Sequence, residues 1–325
     1  KNCSVGGCRR IQFINLMFIS NEDRVDAWCE YLQAELQDLN FYAWPQDADA
    51  IDPLDVDYVL AWKPPPGVIK KFPNIKAILS LGAGIDGITC DPELPTNKPV
   101  ARLVDTSLTQ GMTHYIVYWT IHHHRDMDKY RAFEASKSWT QLPQAIASNR
   151  KVGILGLGEL GTAAGRALSS LHFEVAGWSR SEKKIDGITS YFGDAGLSDF
   201  LARSEILICL LPLTDATTGI IDSKLLNQLP KNAVFINCAR GGHVVDDDLL
   251  AALDQEHLSK AVLDVFNTEP LPSDHPYWDH PKITVTPHIA ALTAPHSGAG
   301  YVAENIRRIE RGEVPMNLID LANGY

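Results

Sequence analysis

At 325 residues the chain exceeds what one hydrophobic core fills, so two domains are expected. Its 45% hydrophobic and 21% charged residues are those of an ordinary globular protein. A formal charge of −11 excludes nucleic acid as a general partner, because phosphate binding needs basic surface, and no apolar run approaches the roughly 20 residues that cross a bilayer.

The chain begins with a polar, basic stretch, residues 1–10, before an apolar run at 11–19. No small-residue cleavage site follows it, so the run is expected as a first strand and not as a signal peptide. Residues 23–39 follow as an amphipathic helix, with Val25, Trp28, Cys29, Leu32, Leu36 and Leu39 at helical spacing. Residues 58–61 form a short strand cut off by Pro64-Pro65-Pro66, which cannot continue a ladder. Residues 77–81 form another, ending in Gly82-Ala83-Gly84. This is already one α/β unit.

A long helix is expected over residues 110–131, rich in aromatics (Tyr115, Tyr118, Trp119, Tyr130), burying its face against a second unit or a partner subunit. His122-His123-His124 falls on it. Consecutive histidines point to different helix faces, so they are expected as helix surface, and no metal site is expected.

Residues 151–180 carry strand, glycine turn, helix and strand in about thirty residues, the setting in which Gly156-Leu-Gly158-Glu159-Leu160-Gly161 reads as a dinucleotide fingerprint. Gly156 permits the turn, Gly158 lets backbone approach a pyrophosphate, and Gly161 lets helix pack on strand. An acid normally closes the second strand to bind the ribose 2′-OH. Here Trp178-Ser179-Arg180-Ser181 stands instead, followed by Lys183 and Lys184. A guanidinium and two hydroxyls suit a 2′-phosphate, so NADPH is expected in preference to NADH.

Strands are then expected at 206–211, 233–237, 261–265 and 283–285, with helices near 224–229 and 247–254, the latter opened by Asp246, Asp247 and Asp248. The alternation predicts a parallel sheet covered on both faces. A last helix, opened at Thr293-Ala-Pro295 and running to about 311, returns to the first unit and makes it discontinuous. The six cysteines (Cys3, Cys8, Cys29, Cys90, Cys209, Cys238) form no C-x-x-C pair, and Cys209 and Cys238 lie in apolar runs. They read as reduced thiols, which places the chain in the cytoplasm.

Ligands of doubly wound sheets bind beyond the carboxyl ends of the strands. Arg240, Asp264 with Glu269, and His288 each stand just past such an end. Together they suffice to reduce a 2-oxo acid. Arg240 holds the carboxylate in a forked pair and polarises the carbonyl. His288 gives the proton while a nicotinamide gives hydride. Glu269 orients the ring and favours its imidazolium form.

The Gly156/Gly158/Gly161 turn, the 237–242 segment with Arg240, the Asp264…Glu269-Pro270 segment and Thr286-Pro287-His288 together resemble the D-isomer-specific 2-hydroxyacid dehydrogenase family. Within it the chain is most similar to the NADPH-dependent glyoxylate/hydroxypyruvate reductases of the A group. The similarity lies in Leu81-Gly-Ala-Gly84-Ile-Asp86, Trp178-Ser-Arg180, Leu211-Pro212, His243-Val-Val-Asp246 and the closing Gly324-Tyr325.

That resemblance implies two doubly wound parallel-sheet α/β domains. A Rossmann NADP-binding domain with a dimerisation helix, residues 109–291, is inserted in a flavodoxin-like substrate domain, residues 1–108 and 292–325. It implies Arg240, Glu269 and His288 as the catalytic set and a homodimer formed through the cofactor domains. The cofactor set becomes Gly156, Gly158, Glu159, Leu160, Gly161, Ser179, Arg180, Ser181, Leu211, Pro212, Cys238, Ala239, Arg240, Asp264, His288 and Ala290. Substrate contacts fall to Trp62, Leu81, Gly82, Ala83, Gly84, Arg240 and His288, with the Ala83-Gly84 amides taking the carboxylate. The implied reaction is reduction of glyoxylate or hydroxypyruvate. A bulkier acid such as phenylpyruvate, and a non-enzymatic nucleotide-sensing corepressor, are the alternatives.

Overall fold

The structure is a computed structural model that describes residues 13–321. Residues 1–12, with Cys3 and Cys8, and the closing Gly324-Tyr325 lie outside the described residues. Two compact units result. One runs to Ser107 and resumes at Thr293, and the other is Leu108–Leu292.

The first unit is built on five parallel strands, β1 (Ile14–Ile19), β2 (Leu39–Ala43), β3 (Tyr58–Ala61), β4 (Ala77–Ser80) and β5 (Val100–Ala101), in the flavodoxin-like order β2-β1-β3-β4-β5. Every residue of β3 and β4 is buried, as strands covered on both faces require. Helix α1 (Val25–Glu35) lies in this unit with a single turn, α2 (Asp86–Thr89). The expected helix 23–39 therefore ends early. Leu36 is extended (φ −127, ψ 96), and Leu39, whose spacing also fits a helix, opens the unforeseen strand β2.

In place of one helix over 110–131 there are two, α3 (Thr106–His124) and α4 (Met127–Ala135). The chain breaks at Asp126, which takes the left-handed conformation (φ 55) that aspartate tolerates better than most side chains. Met112 and Ile116 of α3 are buried in a core with Ile154, Ile208 and Ile236, so the helix packs against its own unit.

The second sheet holds seven parallel strands. They are β6 (Lys151–Leu155), β7 (Glu174–Ser179), β8 (Thr189–Phe192), β9 (Ile206–Cys209), β10 (Ala233–Asn237), β11 (Leu258–Leu263) and β12 (Ile283–Val285). Their order is β12-β11-β10-β9-β6-β7-β8. Connecting helices are α5 (Glu159–Ser170), α6 (Gly193–Arg203), α7 (Ser223–Leu226) and α8 (Asp246–Asp254). One face packs Phe200, Phe235 and Leu253, and the other Ile116, Ile154 and Ile236, which covers the sheet on both sides. Cys209 and Cys238 are buried free thiols in these cores, and burial pushes the Cys238 thiol far up.

Helix α9 (Pro295–Glu310) returns to the first unit beside α1. Its Gly298 lies under the Trp28 ring, where a Cβ would come within 2.6 Å, and Arg307 donates to the Glu35 carbonyl at 2.7 Å. Among the described residues no helix is long and apolar enough to cross a membrane.

Candidate active site

The strands of the second sheet end in register. Trp178, Leu155, Cys209, Asn237, Leu263 and Val285 are mutual partners across six adjacent strands. The residues that follow this row form one rim, and all the predicted site residues of the second unit stand on it. The succession of strands reverses between β6 and β9, running outward to β8 on one side and to β12 on the other, and at such a switch point ligands bind parallel sheets.

The glycine turn follows β6. Gly156 sits at φ 101, and a Cβ there would lie 2.6 Å from the Leu210 carbonyl oxygen. A Cβ on Gly161 would overlap the Gly156 carbonyl. Both glycines are therefore required by the protein itself. Gly158 differs, since a Cβ there would meet no protein atom within 4 Å and its φ is −79. It also stands at the N-terminus of α5, where no side chain caps the helix and the first bond runs from Thr162 N–H to the Gly158 carbonyl. The amides of Glu159, Leu160 and Gly161 thus have no acceptor within the helix and suit a pyrophosphate. At the end of β7, Arg180 is exposed, and the Ser179 hydroxyl donates to the Ser181 carbonyl at 2.7 Å, which closes the turn that presents Arg180.

Arg240 is reached through a shaped loop. The Asn237 amide donates to the Arg240 carbonyl at 2.9 Å and accepts from Ala239 N–H at 3.1 Å. His243, fully buried, lies with Nδ1 3.0 Å from the same Arg240 carbonyl and Nε2 3.2 Å from the Pro212 carbonyl, joining the loops after β10 and β9. A Cβ on Gly241 would overlap the Phe266 backbone, so this glycine lets the Arg240 loop lie against the loop that carries Glu269. Leu211, Cys238 and Ala239 are buried behind the rim, and Pro212 is exposed on it.

The Asp264 carboxylate accepts from Thr286 Oγ1 at 2.6 Å, Ile289 N–H at 2.9 Å and Ala290 N–H at 2.8 Å. Burial pushes its carboxyl above the ordinary value against these bonds. The Asp264 carbonyl also takes the His288 N–H at 2.8 Å. Asp264 thereby clamps both sides of His288, whose backbone is left-handed at φ 53. His288 Nδ1 lies 2.9 Å from Glu269 Oε2, and Glu269 Oε1 accepts from Phe266 N–H at 3.1 Å. The ring is thus held by a carboxylate that is itself held, and among the described residues Nε2 has no hydrogen-bond partner.

The first unit presents its own rim. Trp62 follows β3 and Leu81 follows β4, each one residue beyond the row of Ile19, Ala61 and Ser80. The Trp62 ring lies over Gly82, where a Cβ would come within 2.7 Å of it, and its Nε1 donates to Glu22 at 2.9 Å. Leu81 buries its side chain and uses its carbonyl for Thr293 Oγ1 at 2.7 Å. Among the described residues the N–H groups of Ala83 and Gly84 find no acceptor, and such paired amides suit an anion.

Asn237, His243 and Thr286 shape the site without having been assigned roles from the sequence. The only available signal was their place at strand ends. Tyr115 joins them, with its hydroxyl 2.7 Å from Thr286 Oγ1. The histidines of α3 are not the surface groups expected, because His122 and His124 are buried and His123 is half-buried.

The family model for the NAD binding domain of D-isomer specific 2-hydroxyacid dehydrogenases matches residues 117–290. Glyoxylate/hydroxypyruvate reductase A of Yersinia enterocolitica is 38% identical over 318 residues, 96% of this chain and all of that protein. A crystal structure of a D-isomer specific 2-hydroxyacid dehydrogenase from Xanthobacter autotrophicus, in complex with NADPH and MES, is similar at a TM-score of 0.93. It is 39% identical and covers 97% of this chain and 100% of its own. The NADPH-dependent glyoxylate/hydroxypyruvate reductase of Sinorhizobium meliloti, in complex with NADP and sulfate, is similar at 0.91 and 34% identity, covering 96% and 100%.

The two kinds of glycine should separate on substitution. Gly158→Ala is expected to keep folding stability within about 0.5 kcal/mol, as a change that meets no protein atom should. It should nevertheless weaken dinucleotide binding. Gly161→Ala is expected to cost about 1–3 kcal/mol in chemical denaturation. Unchanged dinucleotide affinity in the Gly158 variant would remove the glycine turn from the binding site.

Proposed function

The chain belongs to the D-isomer-specific 2-hydroxyacid dehydrogenase family and is an oxidoreductase of it, and from that premise we propose that it reduces small 2-oxo acids with NADPH, glyoxylate to glycolate and hydroxypyruvate to D-glycerate. The observation that carries the reading is the His288–Glu269 pair, 2.9 Å apart on the rim that also bears the glycine turn and Arg240. With Nδ1 committed to Glu269, His288 presents Nε2 as proton donor to the carbonyl oxygen. Glu269 keeps the ring oriented and offsets the charge of its imidazolium. Arg240 takes the substrate carboxylate and draws electron density from the carbonyl. When bound, the nicotinamide supplies the hydride that the carbonyl carbon accepts.

Arg180, just past the end of β7 where Ser179 stands in place of an acid, supports the phosphorylated cofactor, as do the relatives crystallised with NADPH and NADP. The second unit also presents apolar side chains suited to a second copy of the chain. Trp139 is 97% exposed, Ile146 67% and Tyr118 54%.

The deciding measurement follows the near-ultraviolet absorbance of NADPH and NADH with glyoxylate, hydroxypyruvate and phenylpyruvate. Turnover of the two small acids with NADPH is expected. A preference for phenylpyruvate would move the substrate class, and no turnover at all would overturn the reading. His288→Ala should lower kcat by about 100- to 10,000-fold, the usual worth of general acid catalysis, while NADPH still binds. Near-parental kcat would reject His288 as the donor. Arg180→Asp should cut the preference for NADPH over NADH at least tenfold, since a charge-assisted hydrogen bond is worth about 1.5–3 kcal/mol. An unchanged ratio would place the 2′-phosphate on other groups. Sedimentation should give a dimer that Trp139→Ser with Ile146→Ser weakens, and a monomeric parent chain would exclude the pairing.

A further inference from the structure

The corner between α3 and α4 takes no part in the chemistry above, yet it gathers three metal-ligating side chains. The left-handed Asp126 turns the chain so that Asp128, at the start of α4, returns against the end of α3. Asp128 Oδ1 lies 2.9 Å from His122 Nε2. One donor atom each from His122, His123 and Asp128 lie within 4.8 Å of one another. Among the described residues His123 Nε2 is buried and has no hydrogen-bond partner, an arrangement that is costly unless something satisfies it. We propose that His122, His123 and Asp128 form a binding site for a divalent transition-metal ion of the zinc type.

Two imidazoles and a carboxylate are the donor set that such ions take in preference to calcium or magnesium. A neutral imidazole carries the lone pair that such an ion takes. A tetrahedral ion with bonds of about 2.0–2.1 Å needs donors about 3.3 Å apart. The His122–Asp128 pair is already near that spacing, and His123 has to close by rotation of its ring. Lys260 Nζ, 3.5 Å from Asp128 Oδ2, supplies positive charge that the ion would replace. Asp128, whose side chain is 40% exposed, is the way in, and water completes the coordination. His124 takes no part, being turned against Phe173 with ring centroids 5.0 Å apart.

The test uses the full chain without an affinity tag, stripped with a chelator and titrated with Co2+. One Co2+ per chain is expected, with the intense visible bands of a four-coordinate ion, displaced by Zn2+ and accompanied by a raised Tm. His123→Phe, which keeps an aromatic ring beside Trp119, and Asp128→Asn should each weaken binding at least tenfold, the smallest loss that even outer-sphere contacts cause. His124→Phe should not. Equal metal-free Tm values check that the variants fold, and if His123→Phe does not, Asp128→Asn carries the same expectation. Absence of the stoichiometric cobalt spectrum, or a spectrum indifferent to the His123 and Asp128 substitutions, overturns the site.

Discussion

The chemistry of the second unit depends on six parallel strands ending on one row. Hydrogen-bonded register fixes this row, and it extends by one further bond at several strands. Gly156 N–H reaches the Trp178 carbonyl, Leu210 N–H that of Leu155, Asp264 N–H that of Asn237 and Thr286 N–H that of Leu263. A parallel ladder cannot slip by one residue without turning every buried side chain to the opposite face. With buried chains on both faces, as at Phe235 and Ile236, slippage is excluded twice over. The rim is therefore as rigid as the core beneath it. Groups far apart in sequence, Arg180 and His288 among them, hold their spacing without contacting one another.

On that rim, His288 is the residue whose backbone is least comfortable. A left-handed, non-glycine conformation costs of the order of 1–3 kcal/mol and persists only where the surroundings enforce it. Here the enforcement is visible. Asp264 takes the His288 amide on its carbonyl and the next two amides on its carboxylate, and Thr286 adds its hydroxyl. Those bonds are made to a buried carboxyl that burial alone would drive toward its neutral form. Strain at His288 and charge at Asp264 are thus mutually supporting. The product of the arrangement is a ring with one nitrogen fixed on Glu269.

Much of this was legible in the sequence because buried parallel strands are short continuous apolar runs. Residues 58–61, 233–237 and 283–285 were read with the boundaries the structure has. What escaped was structure with weaker chemical contrast. The edge strands β2 and β8 mix polar and apolar residues, and β5 is two residues long. The break at Asp126 leaves apolar spacing intact on both sides, so periodicity alone reads one helix. That misreading hid the corner where Asp128 meets His122, since on a single straight helix Asp128, six residues on from His122, lies on another face. Conversely, Arg240, Glu269 and His288 could be found because each is a polar group directly after an apolar strand. Asn237 and His243 lie in motifs that carry the resemblance, yet nothing in the sequence shows that they hold the Arg240 loop by its carbonyl.

The glycines show how much further structure sharpens a motif than spacing does. In the fingerprint all three look alike. In the folded chain Gly156 and Gly161 are explained by the protein, through a positive φ at one and a collision with backbone at the other. Gly241, outside the fingerprint, belongs with them, because it alone lets the Arg240 loop touch the backbone at Phe266. Gly158 has neither cause. Its backbone is one that any residue adopts, and its missing side chain would point into space that no protein atom fills. A helix loses stability by having glycine rather than serine or aspartate at its cap only if something other than the fold gains from it. Beside the open amides of 159–161, the gain is room for an anion to come against the backbone. A folding argument accounts for Gly156, Gly161 and Gly241, and none accounts for Gly158.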